Sequence, residues 1–165
     1  MELDIRNLSD EYAVRRLTPE DVPAIFALSA GNTLFYEYHP PFVTEESILD
    51  DMTALPPETP ADRKYYVGFF RDGELIAVLD LILGYPDDAT AFIGLFMTAV
   101  STQGQGIGSR ILTRCLDFLR ACGYSRVRLG VDRGNPQSFH FWTKNGFSVD
   151  PTAQSPYLVM TKSLT

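Results

Sequence analysis

Apolar residues recur along this chain in two rhythms, and the change from one to the other predicts most of its elements. Residues 64–70 (Lys-Tyr-Tyr-Val-Gly-Phe-Phe) and 75–83 (Leu-Ile-Ala-Val-Leu-Asp-Leu-Ile-Leu) are short apolar runs rich in aromatic and β-branched side chains, as buried strands are. Arg71-Asp-Gly-Glu74 between them reads as a hairpin turn. Gly84-Tyr-Pro-Asp-Asp88 then turns the chain into a third strand over 90–100. A first strand is expected over 12–18 and a later one over 125–132, with two short ones near 147–149 and 157–162.

The second rhythm has steps of three and four. It is clearest in Ile107, Ile111, Leu112, Cys115, Phe118, Leu119 and Cys122, one buried face of a helix that Gly123 is placed to end. Thr18-Pro-Glu-Asp21 is a helix start, with Thr as N-cap, Pro at the first position and acids in the first turn. That helix runs through Val22, Ile25, Phe26 and Leu28 to about Gly31-Asn32. A second is expected from Thr44 to about Leu55, ended by the prolines of 56–60, and a short one over 137–144. Residues 35–42, aromatic and broken by two prolines, read as a loop. No repeat, low-complexity tract or linker interrupts the pattern. It implies one α/β (α+β) domain over 12–165, preceded by residues 1–11 as a short arm or frayed end.

Composition narrows the function. The chain has 165 residues, 45% of them apolar and 21% charged, ordinary for a globular domain. No run approaches the roughly 18 apolar residues of a membrane span, and no membrane partner is expected. A net charge of −7 disfavours nucleic acid. Cys115 and Cys122 lie too far apart along one helix face for a disulfide, so both read as small core residues. Nothing demands an oxidising compartment; a cytoplasmic location is expected, and no metal.

The candidate chemistry starts where the strand over 90–100 meets the long helix, at Gln103-Gly-Gln-Gly-Ile-Gly-Ser109. Glycines at 104, 106 and 108 remove side chains from a turn, so several backbone N–H groups can converge at a helix N-terminus and hold an anion, the expected one being a pyrophosphate. A P-loop needs Gly-Lys-Ser/Thr, and no Lys lies between Gly104 and Cys115. A Rossmann fingerprint needs a third glycine where Ser109 stands, and more βα units than the remaining chain can build. A strand-to-helix turn that binds nothing is the plain alternative, but three glycines weaken a helix start without a compensating use.

Gln103-Gly-Gln-Gly-Ile-Gly108 also fits [RQ]-x-x-G-x-[GA], and here the sequence resembles the GNAT superfamily of acyl-CoA-dependent N-acyltransferases. The order of predicted elements is similar to that fold over nearly the whole chain. A second motif, N-x-x-A-x-x-x-Y-x-x-x-G-F, is matched in spacing by Asn135 through Gly146-Phe147, with Ser138 and Trp142 at the Ala and Tyr positions. The resemblance implies a mixed, mostly antiparallel sheet flanked by about four helices and splayed to bind acetyl-CoA.

The resemblance puts the pyrophosphate on Gly104, Gln105, Gly106, Ile107, Gly108 and Ser109, with Gln103 leading in. It puts the pantetheine along Phe96, Met97 and Thr98, with Asn135 and Trp142 opposite. The reaction it implies is attack by a primary amine of a small molecule or peptide on the thioester, which requires a proton acceptor. Asp80 is the first candidate, because a carboxylate inside an apolar strand is costly unless paired or functional. A purely structural Asp is the equal alternative. Asp132, at a strand end, is second. Trp142 stands where the family carries a tyrosine acid, so either Tyr157 or Tyr85 reprotonates the leaving thiolate or the thiolate leaves unaided. Tyr36, Glu37, Tyr38 and His39, with Tyr85, are the expected acceptor contacts, suited to a cationic amine by cation–π and ion pairing. His39 reads as a structural loop residue rather than a base, and His140 as packed or solvent-facing. A non-catalytic acyl-CoA sensor is the competing class, and an NAD-binding domain a third. A homodimer is compatible with the family.

Overall fold

The computed structural model describes residues 2–165. Seven strands form one sheet: β1 Ala13–Arg16, β2 Lys64–Arg71, β3 Glu74–Leu83, β4 Thr90–Thr98, β5 Arg126–Val131, β6 Ser148–Val149 and β7 Leu158–Ser163. Their spatial order is β1-β2-β3-β4-β5-β7-β6, and every pairing is antiparallel except β4 with β5. The helices are α1 Val22–Ala30, α2 Thr33–Tyr38, α3 Glu45–Thr53, α4 Ile107–Ala121 and α5 Pro136–Lys144. The α/β architecture with a mostly antiparallel sheet is the one expected from the sequence.

The alternation along β2 sorts the core. Tyr65, Val67 and Phe69 join the cluster that holds α4 residues such as Ile111 and Leu119 together with Trp142 of α5. Tyr66, on the other face, packs with Ile25 and Leu28 of α1 and Ile48 of α3. Residues of one strand thus serve two cores, because successive side chains point to opposite faces.

The local signals act as their chemistry predicts. Asp72 and Gly73 both take positive φ in the β2–β3 hairpin, as a type I′ turn demands. Thr44 caps α3 by accepting the Ser47 N–H. At the end of α4, Gly123 adopts φ +100°, its N–H bonds the Arg120 carbonyl, and Tyr124 N–H bonds Leu119. That is a Schellman motif, and it settles the orphan carbonyls of the last turn.

Two expectations change. Residues 33–38 are a helix, not a loop: the two prolines fall at 40 and 41, just beyond its last turn, where they stop a helix instead of preventing one. The i, i+4 pair Phe35 and His39 stacks across that turn, ring centroids 5.2 Å apart. The N-terminal segment is not frayed either. Leu3 and Leu8 are buried, Leu3 N–H bonds the Tyr65 hydroxyl, and the Cys115 thiol donates to the Leu8 carbonyl. Burial pushes that thiol up to about 12, so Cys115 is a packing residue. Both cysteines are free.

Gly123→Ala forces an L side chain into the left-handed region, and unfolding in urea should show a loss of about 1–2 kcal/mol. An unchanged urea midpoint would show that the α4 terminus does not need that conformation.

Candidate active site

The glycine turn forms as its sequence demands. β4 runs through a 3-10 turn at Val100–Thr102 into Gln103, and Gly106 is the N-cap of α4. Gly104 (φ +78°) and Gly106 (φ +76°) are left-handed, with open space where a Cβ would stand. The Gln103 N–H bonds Val100 and the Arg110 N–H closes the first helical turn on Gly106. The N–H groups of residues 104–109 find no acceptor among the described residues. A cluster of free donors at the N-terminus of a 15-residue helix has the charge and hydrogen-bonding capacity to hold an anion. Gly108 has a different use: a Cβ there would stand 3.4 Å from both Phe141 and Thr98, so its absence lets α4 lie close to β4 and α5.

Beside this turn the sheet opens. β4 and β5 pair in parallel from Thr90↔Arg126 to Ile93↔Leu129 and then part. The parting coincides with a bulge: β3 pairs Leu81 with Ile93 but Asp80 with Leu95, leaving Gly94 as the extra residue. A bulge bends its strand and increases the local twist. It also exchanges faces, so Ile93 packs with the α4 cluster while Leu95 packs with the α1–α3 cluster.

Two cavities flank the opening. One, of about 330 Å³, runs from the glycine turn to Phe96 and Trp142. The other, of about 420 Å³, lies under α2 and α3 and along the β5 end. Phe35, Phe96, Ser138 and Trp142 line both. The opening therefore joins a chamber floored by backbone donors to a chamber bearing carboxylates.

Those carboxylates are Asp51, Asp80 and Asp132. Asp80 lies on β3 directly opposite Tyr66, with Lys64 diagonal to it on the same face of the sheet. Lys64 Nζ donates to Asp80 Oδ2 at 3.1 Å and to the Ala54 carbonyl at 2.6 Å. Both residues are buried, and Asp80 Oδ1 is sealed from solvent without a partner. Burial pushes the Asp80 carboxyl up to about 6, against the pull of Lys64. Gly94 makes room for the group: a Cβ there would sit 2.7 Å from Asp80 Oδ2. Asp132, just past β5, accepts from His39 Nδ1 at 2.9 and 3.1 Å.

Of the acceptor residues expected from sequence, Tyr36 and His39 line the second cavity, and Tyr157 joins them from the β7 side. Glu37, Tyr38 and Tyr85 do not line it. Tyr85 packs edge-on against Phe92, and its turn is closed on itself by Asp87, which accepts from Thr90 and Arg126. Of the cofactor residues, Phe96, Met97, Thr98, Gln103, Gly104, Gly106, Ile107, Gly108, Ser109 and Trp142 line the first cavity. Gln105 turns its side chain to the Ser101 carbonyl, away from it. Gln103 braces the turn by donating to Asn32 and to the Thr98 carbonyl, which Asn32 Nδ2 also reaches. Asn135 caps α5 by accepting from Gln137 and Ser138, its Nδ2 buried and unpartnered. Phe141, Lys144 and His140 of α5 also line the first cavity. Their spacing on one helix face with Gln137 is the signal that could have found them.

Residues 30–147 match the Acetyltransferase (GNAT) family, and the chain belongs to that family. Over 100 residues it is 31% identical to the mycothiol acetyltransferase of Beutenbergia cavernae, which covers 61% of this chain and 34% of that protein. The chain thus spans about a third of the length of that relative. The fold is similar to that of the PaiA N-acetyltransferase of Thermoplasma acidophilum, solved in complex with coenzyme A (TM-score 0.69, 20% identity, 92% of this chain and 98% of the other). It is also similar to an acetyltransferase of Thermus thermophilus (TM-score 0.74, 22% identity, 92% and 96%).

The Lys64–Asp80 pair makes a thermodynamic prediction. Lys64→Met leaves a carboxylate buried alone and should cost about 3–5 kcal/mol, whereas Lys64→Met with Asp80→Leu should recover most of that loss. The carboxyl is raised in the folded state, so its favourable contribution is complete below the unfolded value of about 3.9. It is lost as the pH climbs to about 6. Relative to the double variant, the parent should lose stability across that window; equal pH slopes would place the group's titration elsewhere.

Proposed function

We propose that this chain transfers an acetyl group from acetyl-CoA to the primary amine of a cationic small molecule or peptide, by direct attack in a ternary complex. The observation that carries the reading is the junction at Phe35, Phe96, Ser138 and Trp142, where a chamber of free backbone donors meets a chamber of carboxylates. The first suits a diphosphate with a long arm; the second suits an ammonium group. The relative named as a mycothiol acetyltransferase and the neighbour solved with coenzyme A support the donor.

The pyrophosphate sits on the amides of residues 104–109, where the α4 N-terminus adds about half a positive charge. The pantetheine arm follows the β4 edge at Phe96 and Met97, whose β5-facing backbone groups have lost their strand partner. An N–H on that edge can polarise the thioester oxygen as charge builds on it. Asp51 and Asp132, with Tyr36 and Tyr157, make the acceptor chamber favourable for a cation, while Asp80 is already paired with Lys64. Trp142 is buried against Phe96, Phe141 and Phe147 and forms part of the wall of the junction. Its indole cannot deliver a proton, so protonation of the departing thiolate falls to another group.

Gly106→Glu places bulk and negative charge in the cradle and should weaken coenzyme A binding by on the order of 100-fold in calorimetry, equal to about 2.7 kcal/mol. Gly123→Ala, strained in the same way but remote, is the control for backbone effects and should bind normally. Unchanged affinity in Gly106→Glu refutes the cradle. Binding without thiol release, over a panel of amines and acetyl-CoA, identifies a sensor instead of an enzyme.

A further inference from the structure

We propose that His39 is the base that takes the amine's proton, with Asp132 as the residue that positions it, and that Asp80 is not the base. The assignment rests on the acetyl-transfer reading and deepens it.

The geometry is that of a held imidazole. An ionised carboxylate only accepts hydrogen bonds, so the 2.9 Å contact with Asp132 puts the proton on Nδ1 and leaves the Nε2 lone pair available. Nε2 has no hydrogen-bond partner among the described residues. The ring has two aromatic neighbours, Phe35 tilted at 5.2 Å and Tyr157 stacked at 6.4 Å between centroids. Two other segments, at Asp132 and Tyr157, therefore converge on one side chain of the α2 terminus, the Asp132 partner lying 93 residues away in sequence. Ordering so many groups around a half-exposed imidazole is an expense that surface packing alone does not require. With 43% of its side chain exposed, His39 can both reach the cavity and release a proton to water.

Asp80 is built the other way. Its Oδ1 is sealed, and its Oδ2 is held by the Lys64 ammonium against Gly94. An amine meeting that carboxylate meets one already paired with a buried cation.

The groups that face His39 are consistent with a base. They are Asp132 beyond β5, Asp51 on α3, Tyr36 on α2, Tyr157 before β7 and, deeper in the same cavity, the Asp80–Lys64 pair. Arg133, beside Asp132, spends its guanidinium on the carbonyls of Ser155, Pro156 and Tyr157 and so anchors the segment carrying the Tyr157 ring.

The step balances as follows. An arriving ammonium gives one proton to Nε2, which passes it to solvent. The neutral amine attacks the thioester carbon; the C–N bond forms and the C–S bond breaks. A second N–H proton moves to Nε2 and from there to the departing thiolate, giving the amide and free coenzyme A thiol.

The test is the pH profile of thiol release from acetyl-CoA with benzylamine, backed by a panel of aliphatic amines. His39→Gln should lower kcat about 100-fold, within the usual contribution of a general base, with KM for acetyl-CoA changed only a few-fold. It should also lose the rising limb of kcat/KM that a single base imposes. Free imidazole should restore thiol release to His39→Ala. Asp132→Asn should lower kcat and keep the limb, because an asparagine can hold the wrong tautomer. Asp80→Asn should keep the limb and should not respond to imidazole. A limb that persists in both His39 variants, or one that vanishes in Asp80→Asn, overturns the assignment and leaves acetyl transfer standing. A parent protein that binds coenzyme A yet releases no thiol with any amine overturns both.

Discussion

The molecule depends on two neighbouring strands that stop pairing. β4 and β5 are parallel partners for four residues each, up to Ile93 and Leu129, and then diverge. Beyond that point β4 keeps β3 and β5 keeps β7, so each remains half paired and stable. A sheet that stayed closed would present no free edge and no interior space at this place. The divergence exposes backbone polar groups that need a partner, and the glycine turn adds the unpaired amides of residues 104–109 at one end of the same opening. Structure and candidate chemistry are thus one feature seen from two sides.

Gly94 links that opening to the buried charge beneath it. Its extra residue shifts the register against β3 where β5 pairing ends, and its missing Cβ leaves the space that Asp80 fills. Asp80 tolerates burial because Lys64 stands diagonal to it on β2, an arrangement fixed by the antiparallel register Tyr66↔Asp80. Such a pair contributes little net stability compared with well-packed apolar residues, but neither member can be lost alone. It stiffens the floor of the second cavity and adds no net charge to it.

The roof comes from α2. Its short span keeps it from being stable as an isolated helix, and it is held by what it touches. Phe35 reaches the junction of the two cavities, Tyr36 lines the carboxylate chamber, and His39 beyond its last turn meets Asp132. Asn32, at its start, is tied by Gln103 to the glycine turn. One hydrogen-bonded chain therefore connects the donor cradle to the element that covers the acceptor.

The sequence alone determined what depends on near neighbours. The strand and helix rhythms, the Asp72-Gly73 hairpin, the Gly123 terminus and the bare amides of residues 104–109 follow from local sterics and hydrogen-bonding capacity, which travel with the chain. The two motifs, anchored at Gln103 and Asn135, made the family legible as well. Tertiary structure decided the pairings that join distant segments. Nothing near Asp80 in sequence announces Lys64 as its partner, and nothing near His39 announces Asp132, because each contact is created when strands align or a helix docks. The helix at 33–38 was hidden for the same reason: its aromatic residues gain their fixed places from the cavity walls, and the prolines that follow look like loop signals until their position relative to the last turn is known. Tyr85 and Glu37 carry suitable chemistry in the chain and still fall outside the chamber, since a side chain's direction is set by packing that residue type does not encode.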